Sequence, residues 1–267
     1  MEQNRIRDVG GIVVMSQNTF NTMVKKYAYK VFAICFWLLI WELASIMVGN
    51  DILLASPIVV FKTLVVLTQS LDFWQTILFS SLRIIAGFVI ALLTGIALAI
   101  LSYRFRLALE LISPIMKIIK AMPVASFIIL ALVWIRNENL SVLISFMMVL
   151  PMVYASVAQG LKAADEKLLQ MAQVFRLGLW KKVTAIYIPS ARPFFLTAVT
   201  VGLGFCWKAG IAAEVIGYPV GSIGVKLYEA KLYLMTKELL AWTVVIILIS
   251  IMLEKVIILL LHPERSS

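Results

Sequence analysis

Long apolar runs separated by short polar segments organise this chain. Apolar residues dominate 31–48, 77–103, 107–135, 140–159, 194–216 and 239–261. At 1.5 Å rise per residue, a helix needs about 20 apolar residues to cross a hydrocarbon layer about 30 Å thick. The runs therefore predict an all-α, polytopic membrane protein with about six transmembrane helices. Strands of a membrane barrel would alternate apolar and polar residues over about 10 positions, whereas these runs are continuous. The third run is broken by Pro114 and Pro123, which disfavour a straight helix. It is expected to form a short amphipathic piece up to Ala121 and then a span reaching Ile135. Pro151 predicts a kink in the fourth span. Pro57 suits the first turn of a short helix between the first two spans. Gly87 and Gly95 in the second span would admit a closely packed neighbour.

Composition supports this pattern. Hydrophobic residues make up 62% of the 267 and charged residues 14%, with a mean hydropathy of +0.99. Soluble domains carry about 25% charged residues, and one water-soluble core could not hide so much apolar surface. The net charge of +10 would suggest nucleic acid as a partner of a soluble protein. No nucleic-acid motif accompanies it, so the lipid bilayer is expected and nucleic acid is not. Lys and Arg instead mark cytoplasmic loops. With the N-terminus inside, 14 of them fall in inner segments, including Arg104, Arg106, Lys181 and Lys182. Only 5, Lys62, Arg136, Lys226, Lys231 and Lys237, fall in outer ones.

The expected arrangement is a multi-pass protein of the cytoplasmic (inner) membrane with both termini in the cytoplasm. Residues 1–30 and 262–267 would be tails around a membrane domain at 31–261. The N-terminal tail lacks the pattern of a cleaved signal peptide, and an interfacial helix is expected around 20–29. Cys35 and Cys206 lie in apolar runs and read as small packed residues. The one histidine, His262, makes no metal site, and no catalytic residue or metal-ligand cluster is assigned.

The most charged internal stretch is 162–193. Within 164–180, Leu168, Met171, Ala172, Phe175 and Leu179 recur at three- and four-residue spacing, one apolar stripe on a helix. Lys162, Glu166, Lys167, Gln170, Gln173 and Arg176 fall mostly on other faces. Periodicity leaves two readings open: an interfacial helix between spans, or a stripe offered to a partner.

Residues 168–172, Trp180 and the run Ile186-Tyr187-Ile188-Pro189-Ser190-Ala191-Arg192-Pro193 resemble the EAA loop of ABC importer permeases. That motif reads E-A-A, three residues, G, nine residues, I-x-L-P. Counting back from Pro189 places E-A-A on Gln170, Met171 and Ala172 and the glycine on Arg176. The spacing holds while three of the residues depart. Further pieces resemble the nitrate, sulfonate and taurine group: Leu54-Ala55-Ser56-Pro57, Ser80-Ser81-Leu82-Arg83, Met122-Pro123, Trp207-Lys208 and Ala213-Glu214-Val215-Ile216-Gly217. The resemblance covers roughly 31–260. It implies a type I ABC importer-like permease whose cytoplasmic coupling helix docks on an ATPase, with Leu168, Gln170, Met171, Ala172, Phe175, Arg176 and Pro189 at or beside the contact. It also implies ABC ATPase subunits, an extracytoplasmic substrate-binding protein and a second copy of the permease as partners. A phosphate-binding loop needs a Gly-Lys pair, and the chain has none. No cofactor is expected on this chain, with ATP and Mg handled by the partner ATPase.

Ionisable residues inside spans are costly and raise a functional question. Arg83, Lys208 and Glu214 are candidates for a translocation pathway suited to an anionic solute. Arg83 reads equally as a residue snorkelling from a span end, and Lys117 and Lys120 as the polar face of an interfacial helix. Lys208 and Glu214, six residues apart, are not direct helical neighbours, so each needs another partner. A self-sufficient secondary transporter or channel without an ATPase is the rival reading.

Overall fold

The computed structural model describes the backbone of residues 28–261, in which every regular element is helical. The expected helix at 20–29 and both tails lie largely outside these residues. Ala28–Val48 forms α1, so residues 28–30 join the helix, not the tail. Then follow α2 (Pro57–Thr68), α3 (Leu71–Arg104), α4 (Arg106–Ala121), α5 (Val124–Ala131) and α6 (Asn137–Lys162). The second half comprises α7 (Glu166–Val174), α8 (Leu179–Lys182), a π-turn (Val183–Tyr187), α9 (Ile188–Gly217), α10 (Ile223–Leu232) and α11 (Thr236–Leu261). Five stretches are long and apolar enough to cross a membrane: α1, α3, α6, the continuous run Leu179–Gly217, and α11.

The third apolar run differs from the expectation. Its two helices meet at 104°, and α5 has only eight residues, about 12 Å of helix. No straight span reaches Ile135. Met122 is driven to extended backbone (ψ 132°) by the proline that follows it, and Pro123 then caps α5. Leu132–Ile135 closes in turns. Counted as one bent element, α4 and α5 bring the stretches apolar enough for a membrane from five to six. Pro114 and Pro151, by contrast, lie inside continuous helices.

The core is α3, α6 and α9. Lipid is as apolar as leucine, so helices in it associate through close packing and interhelical hydrogen bonds. One face of α3 supplies a buried row of small residues: Ser80, Gly87, Ala91, Gly95, Ala99 and Ser102. A Cβ on Gly87 would stand 2.3 Å from the Val142 carbonyl oxygen of α6, so the two backbones touch. A Cβ on Gly210 of α9 would meet Ile84 at 2.6 Å and Ser145 Oγ at 2.8 Å. Polar pins cross the same seams. The Tyr154 hydroxyl donates to Ser102 Oγ (3.1 Å), and Ser145 Oγ to the Cys206 carbonyl (3.3 Å). Trp207 Nε1 donates to the Ile246 carbonyl (3.1 Å), tying α11 to α9.

The bundle has two ends. One carries α7 and α8 and is the loop end. The far end gathers the start of α3, the end of α9, α2 and α10. There Lys226 pairs with Asp72 at 2.8 Å, and Ser45 and Trp41 of α1 donate to the Leu54 and Ala55 carbonyls. Large apolar side chains cover the outside, among them Leu82, Leu93, Ile100, Leu248 and Met252, as a lipid-facing surface requires.

Candidate coupling loop and translocation face

At the loop end the chain leaves α6, builds α7 and α8, and returns into α9. Asp165 starts α7, its carboxylate accepting from the Lys167 N–H at 2.8 Å, an N-cap. The single helix expected over 164–180 is broken. The Leu177 N–H bonds to the Ala172 carbonyl (2.9 Å) and the Arg176 N–H to that of Gln173 (3.0 Å). This pair of bonds is the Schellman ending, which needs a left-handed residue at the position after the cap. That residue is Arg176, with φ 51°. Glycine alone adopts this left-handed conformation without a Cβ clash, so an arginine here is strained. Gly178, although nearby, has φ −63° and caps α8.

Arg176→Gly is therefore expected to stabilise the loop by about 1 kcal/mol. The check is limited proteolysis of the purified protein, with slower cleavage in the 163–188 loop than in the wild type. Equal or faster cleavage would contradict the assignment.

The apolar stripe divides between two surfaces. Ala172 is 1% exposed and packs with Ala164, Leu169, Leu177, Ile186 and Tyr187 in a small core. It fixes α7 to its own chain and offers no surface to a partner, a correction to its expected place at the contact. Met171, Phe175 and Leu179 are 53%, 70% and 82% exposed, and Leu168 is also exposed. Gln170 and Arg176 stand on the open side with them. Pro189 lies in the first turn of α9, directly after the π-turn and within the continuous run Leu179–Gly217, where it has no N–H to donate to the preceding turn. It shapes the return into the bundle and is not on the exposed row of α7. The loop's base is tight: a Cβ on Gly160 would lie 2.7 Å from Ala191 Cα, so α6 and α9 touch where the loop begins and ends.

Beside this, α4, α5, α6 and α9 border an open groove of about 500 Å³. Met122, Met147, Met148 and Met152 line it with Val201 and Phe205, and Lys120, Ser156, Gln159 and Thr197 are its polar side chains. Lys208 follows Val201 and Phe205 on the same face of α9 and is exposed. The structure thus sets Lys208 and Lys120 near one surface and parts Lys208 from Glu214, which is fully buried.

Residues 91–262, well over half the chain, match the family described as the binding-protein-dependent transport system inner membrane component. The chain belongs to that family. Among similar curated proteins is the bicarbonate transport system permease protein CmpB of Synechococcus elongatus, 26% identical over 159 residues. That alignment covers 59% of this chain and 57% of the relative, so the chain spans little more than half of that protein's length. The taurine transport system permease protein TauC of Escherichia coli is 25% identical over 220 residues, 80% of each chain. A probable ABC transporter permease protein of Brucella melitensis is 27% identical over 183 residues, 68% of this chain and 74% of its own.

In this family member, α10 is the element that the sequence pattern did not reveal, because 217–238 reads as a polar segment. Its N-terminus is buried at the far end. The Ile223 N–H donates to Ser80 Oγ (2.9 Å), the Gly224 N–H to Glu214 Oε2 (3.3 Å) and the Val225 N–H to Ser222 Oγ (3.2 Å). Ser80 Oγ also donates to Glu214 Oε2 at 2.8 Å. These bonds satisfy donors that a helix start leaves unpaired, and the carboxylate suits the positive end of the helix dipole. Arg83, placed with Glu214 among the pathway candidates, lies with its guanidinium 3.7 Å from the Phe79 ring centre, within electrostatic range of Glu214 and Glu138. Glu214 and Ser80 bind α3, α9 and α10 into one body. Its traces in the sequence are Glu214, an ionisable residue in a span that needs a partner, and Ser222, an N-cap residue two positions before a glycine.

Proposed function

We propose that this chain is the membrane-spanning subunit through which an ATP-driven importer moves a small organic or anionic solute across the cytoplasmic membrane. One observation carries the reading. Leu168, Met171 and Phe175 present an exposed apolar row on α7 and its C-cap, and the opposite face of this short helix is bolted to the α9 run through Ala172 and Ile186. An apolar row on a rigid helix is suited to a groove in another protein. A push delivered there reaches α9 directly. Family membership supports ABC ATPase subunits as that partner and an extracytoplasmic binding protein as the source of solute. A second copy of this chain would face the groove and Lys208 across the pathway. Alternating access then follows when the ATPases draw two such helices together and the bundles rock. The loop end, rich in Lys and Arg, faces the cytoplasm, as do both termini. This chain performs no ATP chemistry; ATP and Mg act in the partner.

The relatives named for bicarbonate and taurine transport support a small solute bearing an anionic group, and Lys208 and Lys120 beside the groove fit that charge. The test is to co-express the tagged chain with the ATPase and binding-protein genes of its own neighbourhood, reconstitute the complex, and measure ATP hydrolysis with and without binding protein. Stable co-purification with stimulated hydrolysis is expected. A chain that never holds an ATPase and transports solute alone would replace this reading by a secondary transporter.

A further inference from the structure

The loop end carries a second feature that transport does not account for. The inner end of α3 and the start of the α9 run are joined by Tyr103 and Tyr187. Their rings meet edge to face with centres 5.7 Å apart, and their hydroxyls lie 3.4 Å apart. Each tyrosine is close in sequence to a pair of cations. Arg104 and Arg106 follow Tyr103 by one and three residues. Lys181 and Lys182 precede Tyr187 by six and five residues, about 8–9 Å along a helix. The contact between tyrosines 84 residues apart therefore brings the end of α3 and the α8 end of the α9 run together, and each carries two cations in its adjoining residues. None of the four has an ion-pair partner among the described residues. Glu110, one turn beyond Arg106, pairs with neither arginine.

The surroundings are those of a membrane boundary. Tyr103, Phe105, Leu107, Leu179 and Trp180 are exposed beside the cations, Leu179 and Trp180 at 82% and 78%. Aromatic rings settle at the headgroup level, and basic pockets between helices on the cytoplasmic side bind acidic lipid headgroups. A soluble anion has no use for the exposed leucines and tryptophan. A phospholipid uses both parts, with its phosphate on the cations and its acyl chains along α3 and α9.

We infer that Arg104, Arg106, Lys181 and Lys182 form a binding site for an anionic phospholipid of the cytoplasmic leaflet. The bound headgroup bridges α3 to the base of the coupling loop, and it stiffens the joint at which the π-turn meets α9. Acidic lipid then acts as a positive regulator of the coupling proposed above. Lipid binding itself does not depend on that proposal, so the two can fail separately.

The experiment uses the intact transporter complex, purified gently and examined by native mass spectrometry. It is then reconstituted in phosphatidylcholine vesicles with or without phosphatidylglycerol. The wild type is expected to retain anionic phospholipid and to hydrolyse ATP several-fold faster in the phosphatidylglycerol vesicles. Each charge removed by Arg104→Gln, Arg106→Gln, Lys181→Gln or Lys182→Gln is expected to weaken lipid retention roughly fivefold. The fourfold variant loses the phosphatidylglycerol response and keeps the wild-type rate in phosphatidylcholine. Charge-preserving exchanges, Arg104→Lys with Lys181→Arg, keep retention near the wild-type level. A fourfold variant with undiminished lipid retention overturns the inference. So does loss of the ATPase subunit, which would assign the cations to protein contact. Displacement of lipid by millimolar inorganic phosphate would overturn it too, by showing a site for a free anion.

Discussion

Phe175→Asp is expected to leave the protein folded in the membrane and to abolish solute uptake. Phe175 caps α7 with 70% of its surface exposed, so a carboxylate there costs the fold little. In a partner's groove the same change removes a large apolar anchor and introduces a desolvated charge. Truncating such an anchor costs about 2–4 kcal/mol of docking, roughly a 30- to 1000-fold loss of affinity. The companion change Ala172→Asp separates docking from folding. Ala172 is buried against Ile186 and Leu177, so aspartate there places an unpaired charge in the loop's own core and lowers the yield of folded protein. Membrane yield, ATPase co-purification and uptake, measured together, read both effects. Wild-type uptake in Phe175→Asp would remove this helix from the coupling path.

Gly224→Ala is expected to be the most damaging single methyl in the far half of the molecule. Its Cβ would stand 2.3 Å from Glu214 Cβ and 2.4 Å from the Glu214 backbone carbon. Those atoms belong to the interior of α9 and cannot rotate away, so α10 must lift off. Lifting it exposes the Ile223 and Gly224 N–H groups and leaves the Glu214 carboxylate with fewer donors. Overpacking of this kind costs about 1–3 kcal/mol and occasionally more. A lower thermal unfolding midpoint and a larger aggregated fraction on size exclusion in detergent should report it. Gly204→Ala is the control, since nothing lies within 4 Å of the added Cβ, and it should behave as wild type. Equal behaviour of the two variants would show that α10 does not dock as described.

Much of this architecture is legible in the order of the amino acids. Apolar runs locate α1, α6 and α11 to within three residues at each end, because a helix in lipid must satisfy its own backbone and carry apolar side chains throughout; α3 and α9 each begin six residues earlier than expected, in more polar sequence. The span expected at 239–261 is Thr236–Leu261, and the one at 140–159 is Asn137–Lys162. The glycines of α3 announce close packing, and the motif spacing locates the candidate coupling loop although three of its residues depart from the pattern. The counting also puts the motif's glycine on Arg176, where the backbone is left-handed.

Other features depend on which surfaces meet. An apolar stripe has the same periodicity whether it faces its own chain or a partner, so periodicity cannot tell Ala172 from Phe175; the packing of α7 against Ile186 does. Glu214 and Lys208 look alike as ionisable residues on one helix, yet packing buries the first against Ser80 and α10 and leaves the second exposed. The bend at Met122-Pro123 is signalled by proline, but its angle of 104° and the shortness of α5 are seen only in the structure, where Ile128 and Ala131 pack with residues of α6 and α9. By itself, then, the sequence determined the class of solvent, the place of the long helices and the family. Those are one-dimensional properties of hydropathy and spacing. Only the tertiary structure decided the roles of individual polar and apolar residues, because a role depends on the atoms that another helix brings within a few ångströms.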